Sequence, residues 1–77
     1  MTNISINSEF IKLDQFLKWA GIVPTGAEAK MLIFDGQVRV NGEVEIRRGK
    51  KLRIGDIIEV DEKEFIIEWY PEVSFCI

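Results

Sequence analysis

The chain contains no histidine, a single cysteine (Cys76) and only two prolines. Without histidine it lacks the usual general base and the commonest metal ligand. One thiol cannot close an internal disulfide, which fits a reducing cytoplasm. Its position beside the C-terminus makes Cys76 a bystander rather than a nucleophile. There are no paired cysteine ligands and no glycine-rich phosphate loop, so neither catalysis nor a metal or cofactor is expected. No apolar run approaches the roughly 20 residues needed to span a bilayer. The start Met1-Thr2-Asn3-Ile4-Ser5 also lacks the basic and apolar regions of a secretory signal. An enzyme, a small-molecule binder and a membrane protein are therefore all disfavoured.

What is present is enough for one domain over residues 1–77 with one small core, since 47% of the 77 residues are hydrophobic. A chain this short leaves little room for a deep substrate cavity beside that core. The net charge of −3 argues at first sight against a polyanionic partner, yet the charges are unevenly spread. Residues 12–55 carry nine lysines and arginines against five acids, a net of +4. Residues 56–77 carry one lysine and seven acids, a net of −6. Local field governs where a phosphate backbone docks, so a basic body followed by an acidic tail remains compatible with nucleic acid.

The spacing of apolar residues predicts the elements. Ile4 and Ile6 alternate with polar residues and are followed by Phe10-Ile11, which suggests a short N-terminal strand. Leu13, Phe16, Leu17 and Ala20 form one helical stripe over about 13–20, with Asp14 in the first turn and Gly21 at the exit. Ile22-Val23-Pro24 is an extended link. Thr25 and Glu28 then make a T-x-x-E capping box before the stripe Ala29, Leu32, Ile33, and Asp35-Gly36 ends that helix.

From Gln37 the period changes to two. Val38 and Val40 lead into Asn41-Gly42, a tight hairpin turn, and Glu43–Ile46 return. Lys51–Ile54, Ile57–Val60 and Phe65–Trp69 are further strands, separated by Gly55-Asp56 and by a charged turn at Asp61–Glu64, with Pro71 ending the last. The expected class is α+β: two short N-terminal helices, helix-turn-helix-like, on a small and mostly antiparallel sheet of about four to five strands.

The string Lys12-Leu13-Asp14-x-x-Leu17, Gly21, Thr25, Ala29-Lys30-x-Leu32-Ile33, Gly36-x-Val38-x-Val40-Asn41-Gly42 and Gly55-Asp56-x-Ile58 resembles the ribosomal protein S-four type RNA-binding domain (the alpha-L motif). The match covers about residues 12–60, leaving an acidic strand and tail at 61–77. The resemblance implies a helix-turn-helix unit against a bent sheet, and binding of structured RNA, chiefly ribosomal. Arg47-Arg48-Gly49-x-Lys51-Leu52 is further similar to the small stand-alone bacterial branch, the YaaA-like proteins, which implies a module with no attached enzyme. Two positions depart from the family: Gly26 stands where arginine usually follows the opening serine of the second helix, and Lys12 stands where arginine is frequent. Lysine keeps the charge but loses the bidentate fork.

A-form RNA displays phosphates and 2′-hydroxyls while hiding its bases, so a shape reader needs cations at fixed separations. Arg39 alternates with core-facing valines and should point outward. Arg47 and Arg48 offer forks for phosphate, extended by Lys50, Lys51 and Arg53, with Lys51 and Arg53 on one face. Lys30 on the second helix, Lys12 and Gln15 at the first, and Asn41 in the hairpin complete the candidate RNA-binding set. Asn41 is first a turn device. Trp19 flanks the Lys12/Gln15 side, where it is either a rim-of-core residue or a surface on which an unpaired base stacks. The rival to RNA binding is a protein-interaction module that docks an assembly or replication factor through Trp69, Tyr70, Phe75 and Ile77.

Overall fold

In the computed structural model, which describes residues 1–69, the chain forms β1 (Thr2–Ile6), β2 (Phe10–Lys12), α1 (Leu13–Trp19), α2 (Gly26–Phe34), β3 (Val38–Val40), β4 (Glu43–Val44), β5 (Lys51–Arg53), β6 (Ile57–Val60) and β7 (Lys63–Trp69). The helical period places Leu13, Phe16 and Leu17 on one side of α1, and all three are fully buried. Ala29 and Ile33 do the same for α2. These side chains meet the alternating inward residues Val38, Val40, Ile58, Val60, Phe65 and Ile67, with the Phe16 and Phe65 rings edge to face at 6.4 Å. Leu52 seals the core from β5. Each large side chain of this set contributes about 1.5–3 kcal/mol when fully buried.

Both helices end as expected from their glycines. Gly21 N–H donates to the Lys18 carbonyl and Ile22 N–H to that of Leu17; Gly36 N–H and Gln37 N–H repeat the pattern on Ile33 and Leu32. These paired bonds require a left-handed residue, and Gly21 and Gly36 sit at φ +75° and +76°. At the start of α2, Thr25 Oγ1 accepts from Glu28 N–H at 3.2 Å, which is the N-cap half of the predicted box.

The sheet differs from the expectation. It is mixed, with five strands in the order β1-β7-β6-β3-β4, and β1 runs parallel to β7 while the other neighbours are antiparallel. A separate antiparallel ribbon joins β2 to β5. Two strands also precede the helices, so the helix pair is not at the N-terminus. The parallel pair joins residues 2–6 to residues 65–69, and local periodicity carries no information about a partner that distant. The last turn is also tighter than the charged stretch 61–64 suggested. Asp61 and Glu62 take φ +53° and +67°, so that Val60 pairs directly with Lys63. The strand end expected at Pro71 lies outside the described residues.

Asn41 ties two turns together. At φ +52° it forms the hairpin turn with Gly42. Its Oδ1 accepts from Ile57 N–H at 3.0 Å, and its Nδ2 donates to Asp56 Oδ1 at 3.2 Å. Asp56 Oδ2 in turn accepts from Arg53 N–H at 2.9 Å. Asn41→Ala removes both side-chain bonds and places an alanine in the left-handed region, so it should destabilise the fold by about 2 kcal/mol. Asn41→Gly should cost less, because glycine keeps the turn. Urea unfolding midpoints measure both, and an alanine variant as stable as the parent would refute the clamp.

Candidate nucleic-acid interface

Helix α1 begins without a side-chain cap, because Lys12 occupies the N-cap position and supplies no acceptor. The first amides of any helix need partners, and here the basic loop provides them. Leu13 N–H donates to the Lys50 carbonyl at 2.8 Å, and Asp14 N–H donates to the Arg48 carbonyl at 3.1 Å. Lys50 N–H closes the loop on the Arg47 carbonyl at 3.1 Å. With the backbone of residues 47–50 so engaged, their side chains project from a fixed base, and Arg47 and Arg48 are exposed.

The ribbon adds a second fixed row. Phe10 lies opposite Arg53 and Lys12 opposite Lys51, while Ile11 and Leu52 turn to the core side. One ribbon face therefore holds Phe10, Lys12, Lys51 and Arg53. Lys51 Nζ lies 4.8 Å from the centre of the Phe10 ring, within cation–π range. Two like charges directly across a strand pair are unfavourable in isolation, so Lys12 and Lys51 gain from any anion placed between them.

Beside this row runs a groove of about 510 Å³ lined in part by Arg47, Lys50, Lys51 and Arg53. Three acids also line it: Glu43, Glu45 and Asp56. Glu45 is engaged by Arg47, whose Nε donates to Oε2 at 2.9 Å, Nη2 to Oε1 at 3.3 Å and backbone N–H to Oε2 at 3.1 Å. The hydrogen bond from the Arg47 side chain holds the Glu45 carboxyl below its ordinary pKa, and the same interaction raises that of Arg47. Arg47, read from the sequence as an open fork, is thus already partnered, whereas Arg48 has no side-chain ion pair among the described residues.

The structure gathers Lys12, Arg47, Lys50, Lys51 and Arg53 on the ribbon and groove, with Arg48 on the same loop. The remaining candidates lie elsewhere. Arg39 does face outward, but it pairs in register with Glu59 and lines a different hollow with Glu59, Asp61 and Glu62. Lys30 is exposed on α2, its Nζ 5.9 Å from the Phe34 ring centre. Gln15 lines a third hollow with Ile11, Lys18 and Trp19. The Asn41 amide is consumed by Asp56 and Ile57, so its observed role is that of the turn.

Sequence reasoning missed Phe10, whose place on the cationic face follows only from the pairing of β2 with β5. It also passed over Lys18, although its position one residue before Trp19 was a usable signal. Of the apolar tail surface, Trp69 is exposed at the end of β7, while Tyr70, Phe75, Cys76 and Ile77 lie outside the described residues. Among the described residues, no helix is long and apolar enough to cross a membrane.

A family model for the S4 domain matches residues 4–68. The chain is 45% identical over 58 residues to the Bacillus subtilis (strain 168) protein named "Probable ribosome maturation protein RlbA", covering 75% of this chain and 82% of that one. Among solved structures it is similar to YbcJ from E. coli, described as revealing an alpha-L motif involved in RNA-binding. That likeness has a TM-score of 0.68 and 30% identity over 88% of this chain and 87% of YbcJ. The 30S ribosomal protein S4e of Thermoplasma acidophilum shares the fold, with a TM-score of 0.54 and 19% identity over 78% of this chain and 31% of that one.

The pairing of Glu45 with Arg47 sets the sign of a pH dependence. Because the folded-state pKa of Glu45 is depressed, the pair stabilises the fold above the ordinary carboxylate range, and that stabilisation disappears as pH falls through the folded value. In an NMR titration Glu45 should ionise below the ordinary value, and Arg47→Ala should return it there. An unchanged titration in that variant would show that Arg47 is not the cause.

Proposed function

The chain belongs to the S4 domain family, and from that premise we propose that it is a non-catalytic binder of structured RNA, ribosomal RNA foremost. It reads phosphate and helix shape rather than base sequence. The observation that carries this reading is the cationic ribbon face, where Lys12 and Lys51 oppose one another beside Arg53 and next to a loop bearing Arg47, Arg48 and Lys50. A phosphate seated across Lys12 and Lys51 relieves their repulsion, and the forks of Arg48 and Arg53 suit neighbouring phosphates. RlbA is named for ribosome maturation and YbcJ is described with an RNA-binding motif; both support the choice of ligand. The reading takes residues 1–77 as one binding domain that acts in a bacterial cytoplasm and needs no cofactor.

Arg39 and Lys30 serve this reading least, since Arg39 shares its hollow with three acids and Lys30 stands on α2 away from the groove. Within the groove, Glu45 competes with phosphate for Arg47. That competition lowers non-specific attraction to any polyanion and demands a backbone that presents phosphates at the right separations.

Arg47→Glu/Arg48→Glu should fold with an unchanged circular dichroism spectrum and weaken binding to a ribosomal RNA fragment by about tenfold or more. The log–log salt dependence should become shallower by about 0.7–0.9 for every phosphate the variant no longer neutralises. Glu45→Gln should act in the opposite sense, freeing Arg47 and giving tighter, more salt-sensitive binding. Undiminished RNA affinity in the folded double variant would overturn the site. Salt-insensitive capture of a protein through residues 69–77 would favour the rival reading, a docking module.

A further inference from the structure

Trp19 closes α1 and is 62% exposed, yet the one polar atom of its side chain is not left to water. Its Nε1 donates to the Ser5 carbonyl at 2.9 Å, which ties the indole to the edge strand β1. A ring held in this way cannot turn inward to bury itself, so a large apolar face is kept at the surface in one orientation. Stacking favours such a platform, because little side-chain freedom remains to be lost on binding.

The hollow beside the ring measures about 310 Å³ and is lined by Ile11, Gln15, Lys18 and Trp19. Among the described residues no carboxylate lines it, in contrast to the groove with Glu43, Glu45 and Asp56. On the adjoining strand pair, Glu68 is engaged by Asn3 Nδ2 at 3.0 Å and Ser5 Oγ at 3.2 Å. The hollow thus combines an aromatic face, a neutral amide and one ammonium, a set that suits a nucleobase with its attached phosphate. It is a separate hollow from the groove, joined to the ribbon through the start of α1. Lys12 at the N-cap of α1, then Gln15 and Trp19 within it, follow one another at three and four residues, a span of about 10 Å. That length spans only a few stacked nucleotides of one strand.

We propose that Trp19 is a stacking platform for an unpaired nucleobase, with Gln15 meeting the polar edge of the base and Lys18 its phosphate. The preferred ligand is then an RNA helix interrupted by a bulged or looped-out nucleotide a few steps from the phosphates on the ribbon. This rests on the RNA-binding reading above and narrows it from duplex shape in general to a duplex with one extruded base.

The full chain with Trp69→Phe retains Trp19 as its sole tryptophan and so as a fluorescent reporter. The probes are a blunt RNA duplex and the same duplex carrying one bulged adenosine. The bulged RNA should quench Trp19 and bind about tenfold more tightly than the blunt one. Trp19→Leu should abolish that preference and leave affinity for the blunt duplex unchanged. Trp19→Phe, which keeps a ring without the N–H, should retain part of the preference, and it decides the matter if the leucine variant fails to fold. A folded leucine variant that still prefers the bulged RNA, or that weakens both RNAs equally, overturns the platform while leaving duplex binding intact. Failure of the parent to bind either RNA overturns both readings, and quenching by a protein partner alone assigns Trp19 to protein docking instead.

Discussion

Two backbone hydrogen bonds, from Leu13 and Asp14 N–H to the carbonyls of Lys50 and Arg48, join the fold to its candidate site. Helix α1 is only seven residues long and has no side-chain cap, so its first turn depends on acceptors from elsewhere in the chain. The loop that supplies them carries four cations between residues 47 and 51, whose mutual repulsion would otherwise spread it into solvent. Each element therefore supplies what the other lacks. The helix gains acceptors, and the loop gains a fixed base from which its side chains project.

Charge is organised on the same scaffold. The protein is acidic in total, and acids appear even inside the groove, yet two of the three carboxylates that line it are engaged. Asp56 is held by Asn41 and the Arg53 amide, and Glu45 is held by Arg47. Carboxylates engaged in this way repel an incoming phosphate less than open ones would, and they fix the direction of neighbouring cations. On the ribbon face Lys12 and Lys51 oppose each other directly, and Lys51 has the Phe10 ring beneath it rather than a carboxylate. An anion is the component that would complete that position. On the proposed RNA-binding reading, groove and ribbon would divide the work, one filtering ligands by competition and the other attracting them with unneutralised charge.

How much of this was legible in the sequence depended on range. Elements set by neighbours along the chain were readable: the 3.6-residue stripe of α1, the threonine cap of α2, both glycine exits and the Asn41-Gly42 turn. The parallel pairing of β1 with β7 was not, nor was the β2–β5 ribbon, because each joins segments distant in the chain whose alternation fits several partners. The same limit applied to the site. That 47–53 is basic was evident from composition alone. That Lys12 belongs with Lys51, and Phe10 with both, required the ribbon register. Arg39 was correctly placed on the outer face, but its acidic neighbours came from β6 and the turn after it, which no local pattern connects to β3.

The opposition of Lys12 and Lys51 couples stability to binding. The paired charges weaken the ribbon that seals Leu52 against the core and that precedes α1. An anion bound there stabilises the native state by mass action, since the unfolded chain does not hold the two ammoniums together. The effect passes directly to the loop, because Lys50 and Lys51 are consecutive and the Lys50 carbonyl also caps α1. The ribbon, the loop and the first turn of the helix should therefore tighten as one unit when the face is occupied.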